Sequence, residues 1–262
     1  MRSGEEKRIV VALILILVLS LTQCATVQTA PTDTINTPRS VLLIGNSLLI
    51  YPVGQDALLQ ELAASANPPA QIKAELATAE GKVLEALWSD PSDRHSKILS
   101  GKYDVVVLQA TLSKTGTVYG GLTADTESKF HEYAAKFDDE IRKGGAQTVL
   151  FMHWQFNEDS AMSIQEITRI YKEVAAERHI RVVPAGLAWQ RAQSAQPGLV
   201  LLSDSVHPNA EGSYLSACVL YATLSGRTPV GLSAVSWTGI SKERANFLQR
   251  IAWETAVSWK QP

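Results

Sequence analysis

Three polar side chains near opposite ends of the sequence have the residue types that nucleophilic catalysis requires. Ser47 follows a short apolar segment in the string Gly45-Asn46-Ser47, and Asp204 stands three residues before His207. At this spacing a tight loop or one helical turn lets the carboxylate accept the Nδ1 proton of the imidazole. The Nε2 atom is then free to take a proton from a serine. If the chain brings these side chains together, they predict acyl transfer through a covalent serine ester.

Each of the two strings also has a structural interpretation. Asn46 or Ser47 could simply cap the helix that follows the first apolar segment. The string from Asp204 to Asn209 could mark the start of a helix, with Pro208 at an early helical position. A helix start is also a good place to hold a catalytic histidine, so the two interpretations of the second string are compatible.

Five short apolar segments rich in β-branched residues predict the strands that would position these side chains. They are Val41–Ile44, Ile72–Leu76, Val105–Leu108, Val149–Met152 and Ile180–Val183. Their continuous apolar character is typical of strands buried on both faces.

Helical patterns lie between and after these segments. Two apolar stripes have helical spacing: Phe130, Ala134, Phe137 and Ile141, and then Ile164, Ile167, Tyr171 and Val174. Two later helices are predicted at about Ala210–Ser225 and Lys242–Trp259. Alternating strands and helices predict an α/β fold with a parallel sheet covered on both faces. In such folds ligands bind beyond the carboxyl ends of the strands, where Ser47 is predicted to lie.

Length and composition exclude several classes of protein. The chain has 262 residues, of which 45% are apolar and 19% charged, which predicts one globular domain rather than a disordered or fibrous chain. A net charge of -2 gives no basic surface for nucleic acid. Two cysteines, Cys24 and Cys218, exclude a disulfide-rich scaffold and a cysteine zinc cluster. No two histidines have metal-ligand spacing, and acyl transfer through a serine ester needs neither a metal nor an organic cofactor.

The N-terminal segment predicts export. Basic residues precede the apolar run Ile9–Leu21, whose 13 residues suit a signal peptide over residues 1–23 and are fewer than a membrane-spanning helix needs. A short membrane anchor or a buried helix are the alternatives. Cys24 ends the string Leu21-Thr22-Gln23-Cys24, which resembles a bacterial lipobox, although Gln23 departs from the usual small residue. The resemblance implies a lipidated Cys24 and a membrane-anchored protein in the periplasm or at the cell surface.

The residues after Cys24 divide into a tether and a folded domain. Residues 24–38 are rich in Thr, Pro, Ala and Gln and lack an apolar period, which predicts a flexible tether. The domain is predicted over residues 39–262. Cys218 lies in an apolar helical stretch without a cysteine partner, which predicts an inert thiol in the core.

The order of these sequence motifs resembles that found in the SGNH (GDSL-type) hydrolase superfamily. The resemblance rests on Gly45-Asn46-Ser47-Leu48 after the first strand, a glycine after the second, and Asp204-x-x-His207-Pro208, and it spans about residues 39–225. It implies a flavodoxin-like, three-layer αβα sandwich with about five parallel strands. It also implies Ser47 as nucleophile, His207 as general base and acid, and Asp204 as the partner that orients His207.

The resemblance further implies an oxyanion hole from the backbone N–H groups of Ser47 and Gly81 and a side-chain amide after the third strand. Gly81 suits this role because a residue without a Cβ lets an acyl oxygen approach the backbone, although a plain turn glycine is the alternative. Asn46 stands where the family usually has aspartate. The asparagine of the third family string is absent, and Gln109 carries the same amide on a longer stem. Gln109 could fill the role or be an ordinary polar residue at a strand end.

Together these features predict an exported serine esterase that acts on a small-molecule or carbohydrate ester, such as an O-acetyl group on a polysaccharide, or on a lipid ester. The lack of a long apolar lid favours short acyl groups. His153 and Trp154 follow the fourth strand and could line an acyl or sugar pocket, with a structural histidine as the alternative. Two other functions remain open: a binding lipoprotein that has lost turnover, and an acyltransferase that uses the same triad.

Overall fold

A central sheet of five parallel strands forms the core of the fold. The structure is a computed structural model, and it describes residues 36–118, 121–158, 161–233 and 239–261. In chain order its strands are β1 Ser40–Ile44, β2 Lys73–Leu76, β3 Val105–Gln109, β6 Gln147–Phe151 and β7 Arg181–Val183, with the short antiparallel pair β4 Thr117–Val118 and β5 Leu122–Thr123 outside the sheet. The order across the sheet is β2-β1-β3-β6-β7, with every neighbouring pair parallel.

Helices cover both faces of the sheet. Within the described residues they are α1 Gln55–Ser65, α2 Leu84–Ser89, α3 Arg94–Ile98, α4 Glu127–Lys143, α5 Ile164–Arg178, α6 Ala185–Ala195, α7 Ala210–Ser225 and α8 Lys242–Ser258. Buried side chains of α1, α6, α7 and α8 form one apolar cluster, and those of α2 to α5 form the other.

Alternate side chains of each central strand point into the two apolar clusters. In β1, Val41 and Leu43 belong to the cluster with α1 and α7, whereas Leu42 and Ile44 belong to the cluster with α4 and α5, and all four are fully buried. Burying one such side chain contributes roughly 1.5–3 kcal/mol. A strand buried on both faces has no polar face, which explains the continuous apolar segments of the sequence.

The predicted α/β sandwich with a five-stranded parallel sheet is confirmed, and the predicted strand bounds lie within two residues of those observed. The helices α1, α2, α3 and α6 were not predicted. The predicted signal peptide (residues 1–23), Cys24 and all of the predicted tether before residue 36 lie outside the described residues. Cys218 is fully buried in α7. No helix in the described part of the chain is long and apolar enough to cross a membrane.

Candidate active site

The turn after β1 presents Ser47 at the carboxyl edge of the sheet. A short 3-10 helix, Ser47–Leu49, begins at the serine, and Asn46 caps it by accepting a 3.2 Å hydrogen bond from the Leu48 N–H. The helix-capping interpretation therefore applies to Asn46. Ser47 itself does not cap the helix, and its hydroxyl is directed at the His207 side chain.

Ser47, His207 and Asp204 are hydrogen-bonded in series. The Oγ atom of Ser47 lies 2.9 Å from Nε2 of His207, and Nδ1 of His207 lies 2.8 Å from Oδ2 of Asp204. Because the ionised carboxylate only accepts hydrogen bonds, the Nδ1 atom carries a proton. In the neutral ring Nε2 is then the basic nitrogen, and it faces the serine hydroxyl. This arrangement can remove a proton from Ser47 as the oxygen attacks an electrophile.

A tight loop holds Asp204 and His207 in this geometry. The Oδ1 atom of Asp204 accepts hydrogen bonds of 2.7 Å from the backbone N–H groups of Val206 and His207. Burial raises the pKa of Asp204, but these two bonds and the His207 ring together hold it below its ordinary value. The carboxylate is therefore ionised at neutral pH, as an orienting partner requires.

Helix α7 begins after this loop and not within it. Asn209 caps the helix by accepting a 3.0 Å bond from the Gly212 N–H, and Ala210 is the first helical residue. The alternative interpretation, in which Pro208 occupies an early helical position, is therefore wrong. A capping asparagine, which accepts a bond from a free N–H of the first turn, provides a stronger start signal than the proline before it.

The two predicted backbone donors of the oxyanion hole are the N–H groups of Ser47 and Gly81. Gly81 lies in the turn from Ala79 to Lys82 with a φ of 64°, a left-handed conformation that favours glycine. Among the described residues, neither the Ser47 N–H nor the Gly81 N–H has a protein acceptor. Asn46 ties the two turns together, since its side-chain amide donates a 3.0 Å bond to the Lys82 carbonyl.

Gln109, the third predicted oxyanion donor, is bonded to the turn that carries the nucleophile. Its Oε1 atom accepts a 2.9 Å bond from the buried Asn46 N–H, and its Nε2 atom lies 3.3 Å from the Thr111 hydroxyl. Gly45 permits this approach, because a Cβ there would lie 2.5 Å from Oε1 of Gln109. Within the described ranges the second amide hydrogen of Gln109 has no acceptor, and the oxyanion role of this residue stays a prediction.

Tyr51 forms a wall of the site that the sequence did not reveal. Its ring packs edge-on against the His207 ring with centroids 5.9 Å apart, and its hydroxyl donates a 2.6 Å bond to Glu80. Glu80 precedes Gly81, so this bond connects the histidine side of the site with the predicted oxyanion turn. The bond to Glu80 and its negative charge raise the pKa of Tyr51. Nothing in the spacing of Tyr51 along the chain could have marked this contact.

His153, which also follows a strand of the sheet, is fully buried and structural. Its Nε2 atom accepts a 3.0 Å bond from the Leu112 N–H, and its Nδ1 atom donates a 2.7 Å bond to the Trp154 carbonyl. Burial lowers the pKa of His153 to about 4, which keeps the ring neutral. Both nitrogens are used to hold the loops after β3 and β6, so His153 does not line a pocket.

One group of side chains in the described residues has the spacing of metal ligands. Glu127, His131 and Glu173 bring ligand atoms within 4.8 Å of one another on α4 and α5. Arg169 forms ion pairs of 2.8 Å with both glutamates. A guanidinium therefore already pairs with both carboxylates of this cluster, which lies on helices and not at the turn that carries Ser47.

Comparison with known proteins identifies relatives by structure alone. No protein-family model matches the chain, and no curated protein sequence matches it significantly. A DUF4886 family protein from Bacteroides uniformis has a TM-score of 0.63 at 16% identity, with 83% of this chain and 94% of that chain covered.

Two further solved structures are enzymes or are assigned to an enzyme class. A mutant acetyl-xylooligosaccharide esterase from Geobacillus has a TM-score of 0.61 at 14% identity and covers 77% of this chain and 100% of its own. A protein from Slackia heliotrinireducens assigned to the SGNH hydrolases has a TM-score of 0.56 at 18% identity, with 71% and 98% covered. The chain that carries the Ser47–His207–Asp204 series therefore has the fold of the SGNH hydrolases.

Proposed function

We propose that this protein hydrolyses a carboxylic ester through a covalent acyl-enzyme formed on Ser47. The observation that carries the proposal is the hydrogen-bonded series from Asp204 through His207 to Ser47. The fold shared with an acetyl-xylooligosaccharide esterase supports the same reaction class. Two free backbone N–H groups beside the nucleophile provide the electrostatic stabilisation that acyl transfer needs.

In the first half of the reaction, the Ser47 Oγ atom bonds to the ester carbonyl carbon while its proton passes to Nε2 of His207. The negative charge that develops on the carbonyl oxygen is stabilised by the N–H groups of Ser47 and Gly81. The carbon–oxygen bond to the alcohol then breaks, and His207 returns the proton to the leaving oxygen. Throughout, the Asp204 carboxylate stabilises the imidazolium and holds the ring in place.

In the second half, a water molecule replaces the alcohol. His207 accepts a proton from this water as its oxygen bonds to the acyl carbon, and it then donates that proton to the Ser47 oxygen as the acyl bond breaks. The products are a carboxylic acid and the free enzyme, so no metal or redox group enters the balance. We expect a preference for short acyl groups, because the Tyr51 ring packs against the His207 ring beside the nucleophile.

Hydrolysis of p-nitrophenyl acetate by the purified protein and by Ser47→Ala tests the proposal. We expect hydrolysis by the wild type and loss of at least 1000-fold in the variant, since the nucleophile is removed. Ser205→Ala, in the loop that carries the histidine, is the matched control and should keep full activity. Equal activity in wild type and Ser47→Ala would refute the proposal.

The alternative functions give different results in the same assay. An acyltransferase would form product only when an acceptor alcohol is added, and Ser47→Ala would abolish that product. A binding protein without turnover would bind the ester and release no nitrophenol in either condition. The bond from the Gln109 Nε2 atom to the Thr111 hydroxyl is the observation that favours the second alternative, because it leaves one fewer amide hydrogen for an oxyanion.

We also propose that the protein is exported and anchored by a lipid on Cys24. The support is the sequence alone, namely the apolar run Ile9–Leu21 and the string that ends at Cys24. Expression in a bacterial host and intact-mass measurement should give a chain that begins at Cys24 with an added diacylglycerol. The Cys24→Ala variant should lose the lipid mass, and retention of residues 1–23 in the wild type would contradict the proposal.

A further inference from the structure

A cleft of about 650 Å³ opens beside the acidic member of the triad. Its walls are the segment after β6, one side of α6, and residues 199–204, which end at Ser203 and Asp204. Asp204 is hydrogen-bonded to His207, which is hydrogen-bonded to Ser47. The wall of the cleft that contains Asp204 is therefore connected to the nucleophile through the His207 ring. The volume is in the range typical of small-molecule sites.

The hydrogen-bonding groups that line the cleft are almost all neutral. They are the amides of Gln155, Asn157, Gln190 and Gln193 and the hydroxyls of Ser194 and Ser203. The charged lining side chain is Asp204, whose carboxylate is already bonded to the triad histidine. No lysine or arginine among the described residues lines the cleft, so its chemistry is unsuited to an anionic headgroup such as a phosphate.

Several of these amides are free to bind a ligand. The Asn157 and Gln190 side chains are exposed and have no hydrogen-bond partner among the described residues. Gln155 is held by its oxygen, which accepts a 3.1 Å bond from the Ile164 N–H, and its amide hydrogens are left for a ligand. An amide donates and accepts at once, as a hydroxyl does, so a row of amides matches a neutral polyhydroxylated molecule.

A rigid aromatic floor underlies the cleft. Trp154 and Trp189 stack with ring centroids 4.0 Å apart and an interplanar angle of 3°. The Trp154 ring N–H donates a 2.9 Å bond to the Val206 carbonyl, and the Trp189 ring N–H donates a 2.9 Å bond to the Ser216 hydroxyl. The bond to Val206 connects the floor of the cleft to the loop that carries Asp204 and His207. This hydrogen bond helps to fix the position of the cleft relative to those two residues. Such preorganisation lowers the entropic cost of binding.

We propose that this cleft binds the saccharide part of an O-acylated neutral carbohydrate and positions its ester at Ser47. The inference rests on the proposed ester hydrolysis and names the alcohol part of the substrate. Asn157 and Gln190 donate and accept hydrogen bonds with the sugar hydroxyls, one from the strand side and one from α6. The ester would reach Ser47 past the His207 ring, which connects Asp204 at the cleft wall with the nucleophile.

The kinetic test compares two substrates in the Asn157→Ala/Gln190→Ala double variant. With acetylated xylobiose, cellobiose and chitobiose as substrates, we expect kcat/KM to fall about tenfold or more, mainly through KM, because two hydrogen bonds are lost. With p-nitrophenyl acetate, which has no saccharide, kcat/KM should be unchanged. Gln165→Ala removes an exposed glutamine of α5 outside the cleft and should behave as wild type. An equal effect on both substrate classes would overturn the proposal.

A binding measurement separates this proposal from the proposed reaction. In Ser47→Ala, which cannot form the acyl-enzyme, titration calorimetry with the same acetylated disaccharides should show saturable binding. The same titration on Ser47→Ala/Asn157→Ala/Gln190→Ala should give about tenfold weaker binding. Loss of p-nitrophenyl acetate hydrolysis with intact binding would refute only the reaction. Failure of all three disaccharides to bind would refute the carbohydrate site.

Discussion

Replacing Asp204 by asparagine tests whether the carboxylate acts on the imidazole or only supports the loop. In Asp204→Asn the side-chain oxygen could still accept the two 2.7 Å bonds from the backbone N–H groups of Val206 and His207. The amide nitrogen, however, would present a hydrogen to Nδ1 of His207, where the carboxylate now accepts one at 2.8 Å. The ring would therefore carry its proton on Nε2, the atom that must accept the proton of Ser47.

The structure separates the expected losses of activity and of stability in Asp204→Asn. Reversal of the tautomer is expected to lower kcat about 10⁴-fold, as it does in serine proteases, which corresponds to about 5.5 kcal/mol. Because both loop bonds are kept, the free energy of unfolding should fall by no more than about 1 kcal/mol. Asp204→Ala, which leaves both N–H groups without this acceptor, should lose more stability than the asparagine variant.

The assay for this prediction combines p-nitrophenyl acetate kinetics with urea unfolding of wild type, Asp204→Asn and Asp204→Ala. An Asp204→Asn variant that is inactive while nearly as stable as wild type is the expected result. An asparagine variant that retains more than a tenth of the wild-type kcat would refute the orienting role of Asp204. Equal destabilisation of the two variants would refute the assignment of the loop bonds.

Three other predictions follow from single contacts. Gln109→Ala removes the acceptor of the buried Asn46 N–H, so it should lower the free energy of unfolding by about 1–3 kcal/mol together with kcat, and loss of kcat alone would indicate an oxyanion donor instead. Tyr51→Ala removes the wall beside the triad histidine and should raise kcat/KM for butyrate relative to acetate esters, and an unchanged ratio in a chain-length series would contradict this. Burial raises the pKa of Asp125 from 3.8 to about 7, although its carboxylate accepts a bond from the Leu84 N–H. The folded protein therefore holds this proton more tightly than the unfolded chain does. The resulting stability of the fold is fully present below about pH 4 and is lost as the pH rises through 7. Asp125→Asn should therefore become more stable relative to wild type between pH 4 and pH 8, by up to about 4 kcal/mol, and a difference independent of pH in urea titrations would contradict the burial argument.

The sheet could be predicted from the sequence because its strands are buried on both faces. A strand such as Val105–Gln109 is buried along its whole length, so its apolar run is nearly continuous and its bounds are visible. Helix α6 was missed because its buried face is formed by small residues, Ala185, Gly186, Ala188 and Ala192, beside a single Trp189. Small side chains give a weak periodic signal, even though they allow the helix to approach the sheet closely.

The candidate site was predictable to different degrees. Asp204 and His207 are close in sequence, so the 2.8 Å contact between them could be anticipated from their spacing. Ser47 is 160 positions from His207, and only the topology of a parallel sheet, which collects strand ends at one edge, could bring it near. Gln109 could not be assigned from its type, because a glutamine amide at a strand end suits either an oxyanion or a turn. Tyr51 acts through side-chain packing, for which the sequence has no signal.

The central claim is that Ser47 is a nucleophile activated by His207, and covalent labelling tests it most directly. Wild-type protein treated with a fluorophosphonate should gain one phosphonyl group, because the activated oxygen displaces fluoride. Peptide mapping by mass spectrometry should place that group on Ser47, and labelling should be at least 100-fold slower in His207→Ala. No label should appear in Ser47→Ala. A label on another residue of the wild type, or an unchanged labelling rate in His207→Ala, would contradict the claim.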